Sequence, residues 1–305
     1  KSGMALAMWS MTTMVAPVIG PILGGWLSDN VSWPWIFYIN IPVGLLAAWV
    51  TWQIYRPRES PTRIVPIDKP GLIALVIWVG ALQIMLDKGK ELDWFNSGEI
   101  VALGLVALVA FVFFLVWELS EEHPVVDLSL FTRRNFVAGT LTLAMAYGLF
   151  FGGIVIIPLW LQTQMGYTAT LAGLTAAPVG ILALLLSPII GKSLPRVDPR
   201  WLASASFVIL ASVSFMRAGF TTGVDNFTVV LPQIVLGAGM ATLFLPLTAI
   251  LLSGVPPARI PAASGLSNFC RITAGAFGTS IATTVWEDRT HLHHAQLVEQ
   301  LTPYS

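Results

Sequence analysis

Long apolar stretches recur along the whole sequence. Their length constrains the fold of the chain more than any other feature. A helix that crosses a bilayer needs about 20 apolar residues, with a range of about 17–25. A soluble domain has about 25% charged residues, whereas this chain of 305 residues has 10% charged and 55% hydrophobic residues. We therefore predict an all-α integral membrane protein with nine spans. These are 3–27, 34–55, 70–86, 98–117, 135–161, 167–190, 200–218, 227–252 and 262–286.

The basic residues between the spans predict their orientation. If the first span runs outward, the inside segments carry eleven Lys and Arg residues and the outside segments carry four. Cytoplasmic loops are enriched in Lys and Arg, so this orientation is favoured. Tryptophans at span ends agree, because indoles prefer the headgroup layer. They are Trp33, Trp35, Trp94, Trp117, Trp201 and Trp286.

Charge and cysteine content exclude several classes of protein. The net charge is zero, so we predict no nucleic-acid partner. The single cysteine, Cys270, excludes an internal disulfide framework and is interpreted as a small buried thiol. The tail carries His291, His293 and His294, but no carboxylate or cysteine completes a zinc set, so we predict no metal site. A surface helix that contacts a partner is the preferred interpretation of this tail.

The first span contains a stripe of small residues. Ala16, Gly20 and Gly24 recur every four residues, which lets two membrane helices approach closely. Pro17 and Pro21 each remove a hydrogen bond within the helix and favour a kink. The stripe is therefore either a gating element or an ordinary helix contact, and the residues leave both interpretations open.

Three later spans contain candidates for a ligand cavity. Varied amphipathic ligands require aromatic and soft side chains with a few polar groups. For each aromatic residue, ordinary packing or lipid contact is the competing interpretation. Gln233 and Asn268 are stronger candidates because a buried amide must find partners. The predicted cavity residues are Tyr147, Phe150, Phe151, Gln233, Phe244, Asn268 and Arg271.

Arg271 is the one charged residue well inside a span. It lies about 14 Å from the start of its helix at a rise of 1.5 Å per residue. Such a charge costs about 2.5–3.5 kcal/mol on insertion scales, so it faces a cavity or a partner, or it snorkels to the cytoplasmic surface. Both interpretations stay open. Acidic residues are absent from the middle of every predicted span.

Several motifs resemble the major facilitator superfamily. Gly20, Pro21, Gly24 and Gly25 match the second half of the antiporter motif of its drug/proton exporters, whereas Ala7 and Ala16 replace two glycines of the first half. The run 35–44 resembles the family's entry into the sixth span. The run 264–271, with the glycines and histidines that follow, closely resembles the fourteen-span EmrB/QacA type, on the EmrB side. A basic loop motif of the superfamily is matched by Gly191, Arg196, Asp198 and Arg200.

The resemblance implies a domain organisation. The nine spans would be the fifth to the thirteenth of fourteen. Residues 1–55 would end the N-terminal six-helix bundle, and 56–134 would carry an inserted helix pair. Residues 135–290 would form an incomplete C-terminal bundle, and 291–305 a periplasmic segment. Because the chain starts at Lys1 without an initiator Met, we interpret it as part of a longer protein, with the proton-coupling acid in earlier spans.

The same resemblance implies a function. It predicts multidrug efflux from a bacterial inner membrane, by alternating access, in exchange for protons. The proton gradient would be the energy source without a cofactor. A periplasmic adaptor protein and, through it, an outer-membrane channel would be partners. One alternative is an exporter of a single lipid or metabolite. Another is a membrane-embedded transferase, for which the outside loop 87–97 offers only Asp87, Glu91 and Asp93.

Overall fold

The computed structural model describes residues 19–58 and 66–300, and only the backbone of residues 291 and 293–300. In these ranges the regular structure is helical, as the sequence predicts. The principal helices are α1 (19–30), α2 (Trp35–Tyr38), α3 (Asn40–Tyr55), α4 (Lys69–Lys88), α5 (Gly98–Ser120), α6 (Arg134–Thr163), α7 (Ala169–Ala176), α8 (Val179–Ser193), α9 (Pro199–Ala218), α10 (Asn226–Leu252) and α11 (Ile260–Gln300).

Seven described segments are long and apolar enough to cross a membrane. They correspond to the second through eighth predicted spans, with ends that differ by a few residues. The segments that correspond to the second and sixth predicted spans, Trp35–Tyr55 and Ala169–Ser193, each combine two successive helices. The first predicted span lies mostly outside the described residues. The ninth lies in α11, which has 41 residues and continues well beyond residue 286.

Polar side chains set the starts of several helices. Asp68 accepts a hydrogen bond from the backbone N of Gly71 at 3.0 Å, and Thr168 accepts one from Leu171 N at 3.2 Å. Asp198 accepts one from Arg200 N at 2.9 Å, and Pro199 follows it as the first residue of α9. Each side chain satisfies a backbone donor that the helix itself leaves unpaired.

The chain forms two compact units. Unit 1 contains the described residues before 65 together with 157–247. Unit 2 contains the described part of 66–156 and 248–305. Helices α6 and α10 contribute to both units. These two units do not test the predicted domain boundaries. The domains 1–55, 56–134, 135–290 and 291–305 therefore stay a prediction.

Within unit 2, α4 and α5 pack along each other around Trp78. This indole is 8% exposed and lies edge-on to Phe111, with ring centroids 5.0 Å apart. Its second edge-on partner is Phe269 of α11, at 5.6 Å. The opposite faces of the pair expose apolar side chains such as Val109 and Val116. This distribution suits a helix pair with one face on protein and the other on lipid.

Candidate functional site

Helix α1 touches α7 through glycines within unit 1. A side chain on Gly25 would overlap the carbonyl of Ala169, and one on Gly173 would overlap the carbonyl of Pro21. The two backbones therefore meet directly, as small residues permit in membrane helices. Of the predicted antiporter-motif residues, Pro21 and Gly25 make this contact.

Among the described residues of the predicted motif, Gly20 and Gly24 do not take part in this contact. Gly20 and Gly24 have no atom of the described residues within 4 Å of a Cβ position. Ala16 and Pro17 lie outside the described residues. The tight face of α1 is thus displaced by one position from the predicted stripe.

Asp29 fixes the start of α7 against the end of α1. Its carboxylate accepts hydrogen bonds from the hydroxyl and the backbone N of Thr170, both at 2.6 Å, and from Ala169 N at 3.3 Å. The Thr170 hydroxyl, followed by its backbone N–H, holds the pKa of Asp29 below its ordinary value. Asp29, Thr170 and Gly173 were not among the site residues predicted from the sequence. The N-cap pattern at Thr168 was the one local signal that a helix starts there.

A second cluster, in unit 2, brings five predicted cavity residues together. The Arg271 guanidinium carbon lies 4.5 Å from the ring centroid of Tyr147. Tyr147 stacks on Phe151 at 5.1 Å, and Phe151 meets Phe150 edge-on at 5.6 Å. Arg271 also donates to the side-chain oxygen of Asn268 one turn earlier. We call Tyr147, Phe150, Phe151, Asn268 and Arg271 the aromatic–arginine cluster.

Glycines hold this cluster together by letting α6 and α11 touch. A side chain on Gly278 would overlap the carbonyl of Gly148. A Cβ on Gly152 would lie 2.9 Å from the Gly278 carbonyl oxygen, and one on Gly275 would lie 3.5 Å from the Phe151 ring. The close approach of the backbones thus places the aromatic rings of α6 beside α11.

A cavity of about 550 Å³ adjoins the cluster. Tyr147 and Phe151 line one wall, and Gly275 and Thr279 of α11 line another. The inserted helix α4 contributes Gln83 and Asp87, which the sequence analysis did not assign to a cavity. The volume lies in the range of small-molecule sites, roughly 300–1,000 Å³. Apolar side chains line the cavity together with polar and charged ones such as Lys90 and Glu91, a combination that can hold an amphipathic molecule.

Two predicted cavity residues, Gln233 and Phe244, belong to unit 1. The Gln233 side chain is 3% exposed, and its oxygen accepts a hydrogen bond from Arg217 at 3.0 Å. The expected partner of this buried amide is therefore the guanidinium on α9. Phe244 is half-buried in α10.

The predicted basic loop motif surrounds the start of α9. Asp198 acts as the N-cap, whereas Gly191 lies near the end of α8 with no described atom within 4 Å of a Cβ position. The backbone N of Arg196 donates to Ser193 O at 2.9 Å. Arg200 supplies the capped backbone N–H. The motif thus shapes the turn between α8 and α9.

An ion pair joins two predicted cytoplasmic loops within unit 2. Arg259, just before α11, donates through Nε to Asp127 at 2.9 Å and also through Nη2. Arg133 donates to the carbonyl of Gly254 in the same region. Burial raises the pKa of Asp127, but the Ser129 hydroxyl and Arg259 more than offset this, so its pKa is lowered. The sequence analysis did not identify Asp127.

Comparison with known proteins decides the family. Residues 1–279 match the model of the Major Facilitator Superfamily. The chain belongs to the major facilitator superfamily. It is a multi-pass membrane protein of a transporter family, which excludes the membrane-embedded transferase considered from the sequence.

Individual relatives are similar along the whole chain. The chain is 52% identical to the multidrug export protein EmrB of Escherichia coli K12 and 50% identical to the fatty acid resistance protein FarB of Neisseria gonorrhoeae. The multidrug export protein EmrB of Haemophilus influenzae is 49% identical. Each match covers 100% of this chain and 60% of the relative. The chain therefore spans about three fifths of the length of these relatives.

Proposed function

We propose that this chain forms part of a multidrug exporter that moves amphipathic compounds out across a bacterial cytoplasmic membrane in exchange for protons. The observation that carries the proposal is the identity of about half the residues, along the whole chain, to proteins named for multidrug export. The cavity beside the aromatic–arginine cluster supports it, because its size and mixed lining suit amphipathic molecules.

The residues suggest two roles in alternating access. The rings of Tyr147 and Phe151 would contact the apolar part of a ligand, and Arg271 would supply positive charge. The glycine contact between α1 and α7 would close one side of the pathway, because two backbones in direct contact leave no space for water. Ligand and proton would be exchanged as such contacts form and separate.

An assembly in the cell envelope is part of the proposal. The exporter would work with a periplasmic adaptor protein and, through it, with an outer-membrane channel. The proton gradient would supply the energy, and no cofactor would be needed. The helical continuation of α11 to Gln300, on the predicted outer side, offers a surface for such an adaptor.

A second candidate is export of a single class of lipid, the fatty acids. It is favoured by the relative named a fatty acid resistance protein, which is 50% identical over the whole chain. Arg271 gives it a physical basis, because a guanidinium can bind the carboxylate of a fatty acid and Arg271 contacts Tyr147, which lines the cavity.

Efflux from drug-sensitive cells tests the proposal. Cells that express the full-length protein are loaded with a fluorescent amphipathic dye, and efflux is followed with and without a proton uncoupler. We expect energy-dependent efflux that the uncoupler abolishes. An efflux rate that the uncoupler leaves unchanged would contradict proton exchange. If a long-chain fatty acid is the only compound to which the protein confers resistance, the second candidate replaces the first.

A further inference from the structure

Two buried acidic residues lie together where α4 begins and α5 ends. Asp68 is 8% exposed and Glu118 is 3% exposed. By the predicted orientation this end of the helix pair faces the cytoplasm. Acidic side chains are rarely buried unless they are paired, so the arrangement calls for a physical explanation.

One oxygen of each carboxyl group is fully engaged. Oδ1 of Asp68 accepts hydrogen bonds from Gly71 N at 3.0 Å and from the indole N–H of Trp117 at 2.9 Å. Oε2 of Glu118 accepts one from Val126 N at 3.1 Å. These hydrogen bonds fix the orientation of both side chains. The position of the other oxygen of each carboxyl group is therefore fixed as well.

The second oxygens are buried, and neither has a hydrogen-bond partner among the described residues. They are Oδ2 of Asp68 and Oε1 of Glu118. Both converge on Gly71: a Cβ there would overlap Oδ2 of Asp68 and would lie 2.6 Å from Oε1 of Glu118. The missing side chain of this glycine leaves the space in which the two oxygens approach each other.

No described cation neutralises the pair. Lys69, next to Asp68, is exposed and forms no ion pair with either carboxyl group. Directly after α5, Glu121 adds a further negative charge near the pair. The next two residues, Glu122 and His123, are exposed. In the same loop Asp127 is paired with Arg259, and Arg271 of α11 lies over the ring of Tyr147.

We propose that Asp68 and Glu118 bind one proton between them. Two like charges this close in a buried site cannot both be ionised without a large cost. A single proton turns one free oxygen into a donor to the other, which removes both the repulsion and the two unsatisfied acceptors. The resulting hydrogen bond between the two carboxyl groups links the start of α4 to the end of α5. This site is separate from the cavity and does not rest on the proposed export function.

Infrared spectroscopy of the full-length protein in lipid nanodiscs tests the proposal directly. A protonated carboxyl group gives a C=O band that shifts in D₂O. At neutral pH we expect one such band in the wild type that is missing in Glu118→Gln and in Asp68→Asn. Glu121→Gln is the matched control, since it changes an acid one turn away and keeps the pair. An unchanged band in Glu118→Gln would overturn the proposal.

The Asp68→Asn variant separates a shared proton from a proton held by burial alone. If the band persists in this variant, Glu118 holds the proton without its neighbour, and the shared site is refuted. Gln at position 118 can accept from Val126 and donate to Asp68, so we expect this variant to fold. A wild-type protein that lacks the band but is stabilised by Na⁺ or K⁺ would refute the proton in favour of a metal cation.

Thermal unfolding against pH provides a second measurement. The unfolded state releases this proton near the ordinary carboxyl pKa of about 4, whereas the folded pair keeps it to higher pH. Stability must therefore fall as pH rises between these two points, and the fall ends once the folded pair also releases its proton. In that window the unfolding equilibrium constant should increase about tenfold per pH unit. Glu118→Gln should remove this increase, and Glu121→Gln should keep it. A pH profile identical in all three proteins would refute the shared proton.

Discussion

Gly278 of α11 lies where its helix meets the backbone of α6, and it has no room for a methyl group. In Gly278→Ala the new Cβ would overlap the carbonyl of Gly148. We expect a loss of about 1–3 kcal/mol of stability, typical of overpacking, together with weaker efflux. Thermal unfolding of the purified protein measures the first effect. Gly265→Ala, on the same helix with no described atom within 4 Å, is the control and should melt at or slightly above the wild-type temperature, because Ala favours a helix more than Gly does.

Tyr147 allows the ring and the hydroxyl to be tested separately. The Arg271 guanidinium lies over the ring, and a cation–π contact of about 0.5–2 kcal/mol depends on the ring alone. Tyr147→Phe should therefore keep wild-type dye efflux. Tyr147→Ala should raise the dye concentration for half-maximal efflux by roughly two- to thirty-fold, from the same energy range. Equal behaviour of the two variants would show that the ring does not contribute to binding.

At the scale of helices, Asp29 connects α1 to the first turn of α7. Its pKa is lowered chiefly by the Thr170 hydroxyl, so this stabilisation is complete above the ordinary value of 3.8 and is lost as pH falls below it. At neutral pH, Asp29→Asn should speed hydrogen exchange of the amides at 169–171. Asp225→Asn is the control, because its carboxylate bonds to Thr228 within its own segment. Unaltered exchange in Asp29→Asn would mean that the carboxylate does not hold α7.

The ion pair between Asp127 and Arg259 links the loop before α6 to the loop before α11. Two guanidinium nitrogens donate to one carboxylate, a geometry that lysine cannot reproduce. The partners are about a third exposed, so we expect a coupling of at most about 1 kcal/mol. Because the pKa of Asp127 is lowered, the coupling should vanish as pH falls below 3.8. A double-mutant cycle with Asp127→Asn and Arg259→Gln measures it, and a coupling that grows in acid would contradict this assignment.

At the scale of the whole molecule, the inserted helix α4 contributes to the ligand cavity. Gln83 lines it and donates to Asp87 at 3.0 Å. Replacement by Leu removes both polar functions from the wall. We expect Gln83→Leu to change the relative efflux rates of a set of dyes by several-fold while expression stays normal. Ile84→Leu changes a lipid-exposed neighbour and should leave the profile intact. Matching profiles for both variants would exclude α4 from the ligand site.

Sequence patterns were sufficient for the helices and for part of the site. Apolar length is a local property of the sequence, so the second to eighth spans could be predicted to within a few residues. The residues of the aromatic–arginine cluster could be named as cavity candidates, because a charge inside a span and an aromatic run stand out in any sequence. Their role in a cavity stays a prediction. Its assembly depends on Gly148 meeting Gly278, residues far apart along the chain.

Contacts between distant segments could not be predicted in this way. Asp29 bonds to Thr170, and Asp68 lies beside Glu118, although hydropathy alone marks each as an ordinary polar residue near a span end. Gln233 was correctly expected to need a partner, but its pairing with Arg217 depends on how α9 and α10 pack. Burial and partner choice are properties of the folded molecule, and a single sequence shows them only indirectly.

Helix α11 is a single rod of 41 residues, which corresponds to about 60 Å at a rise of 1.5 Å per residue. The hydrocarbon core of a bilayer is only about 30 Å thick. With the predicted orientation, one part of this helix would lie in the membrane and the other in the outer aqueous phase, so the helix could act as a lever. Arg271 and Gly278 lie on the inner arm. A sideways push on the outer arm would turn the helix at the glycine contact with α6, so mechanical load outside the membrane would reach the rings that line the cavity.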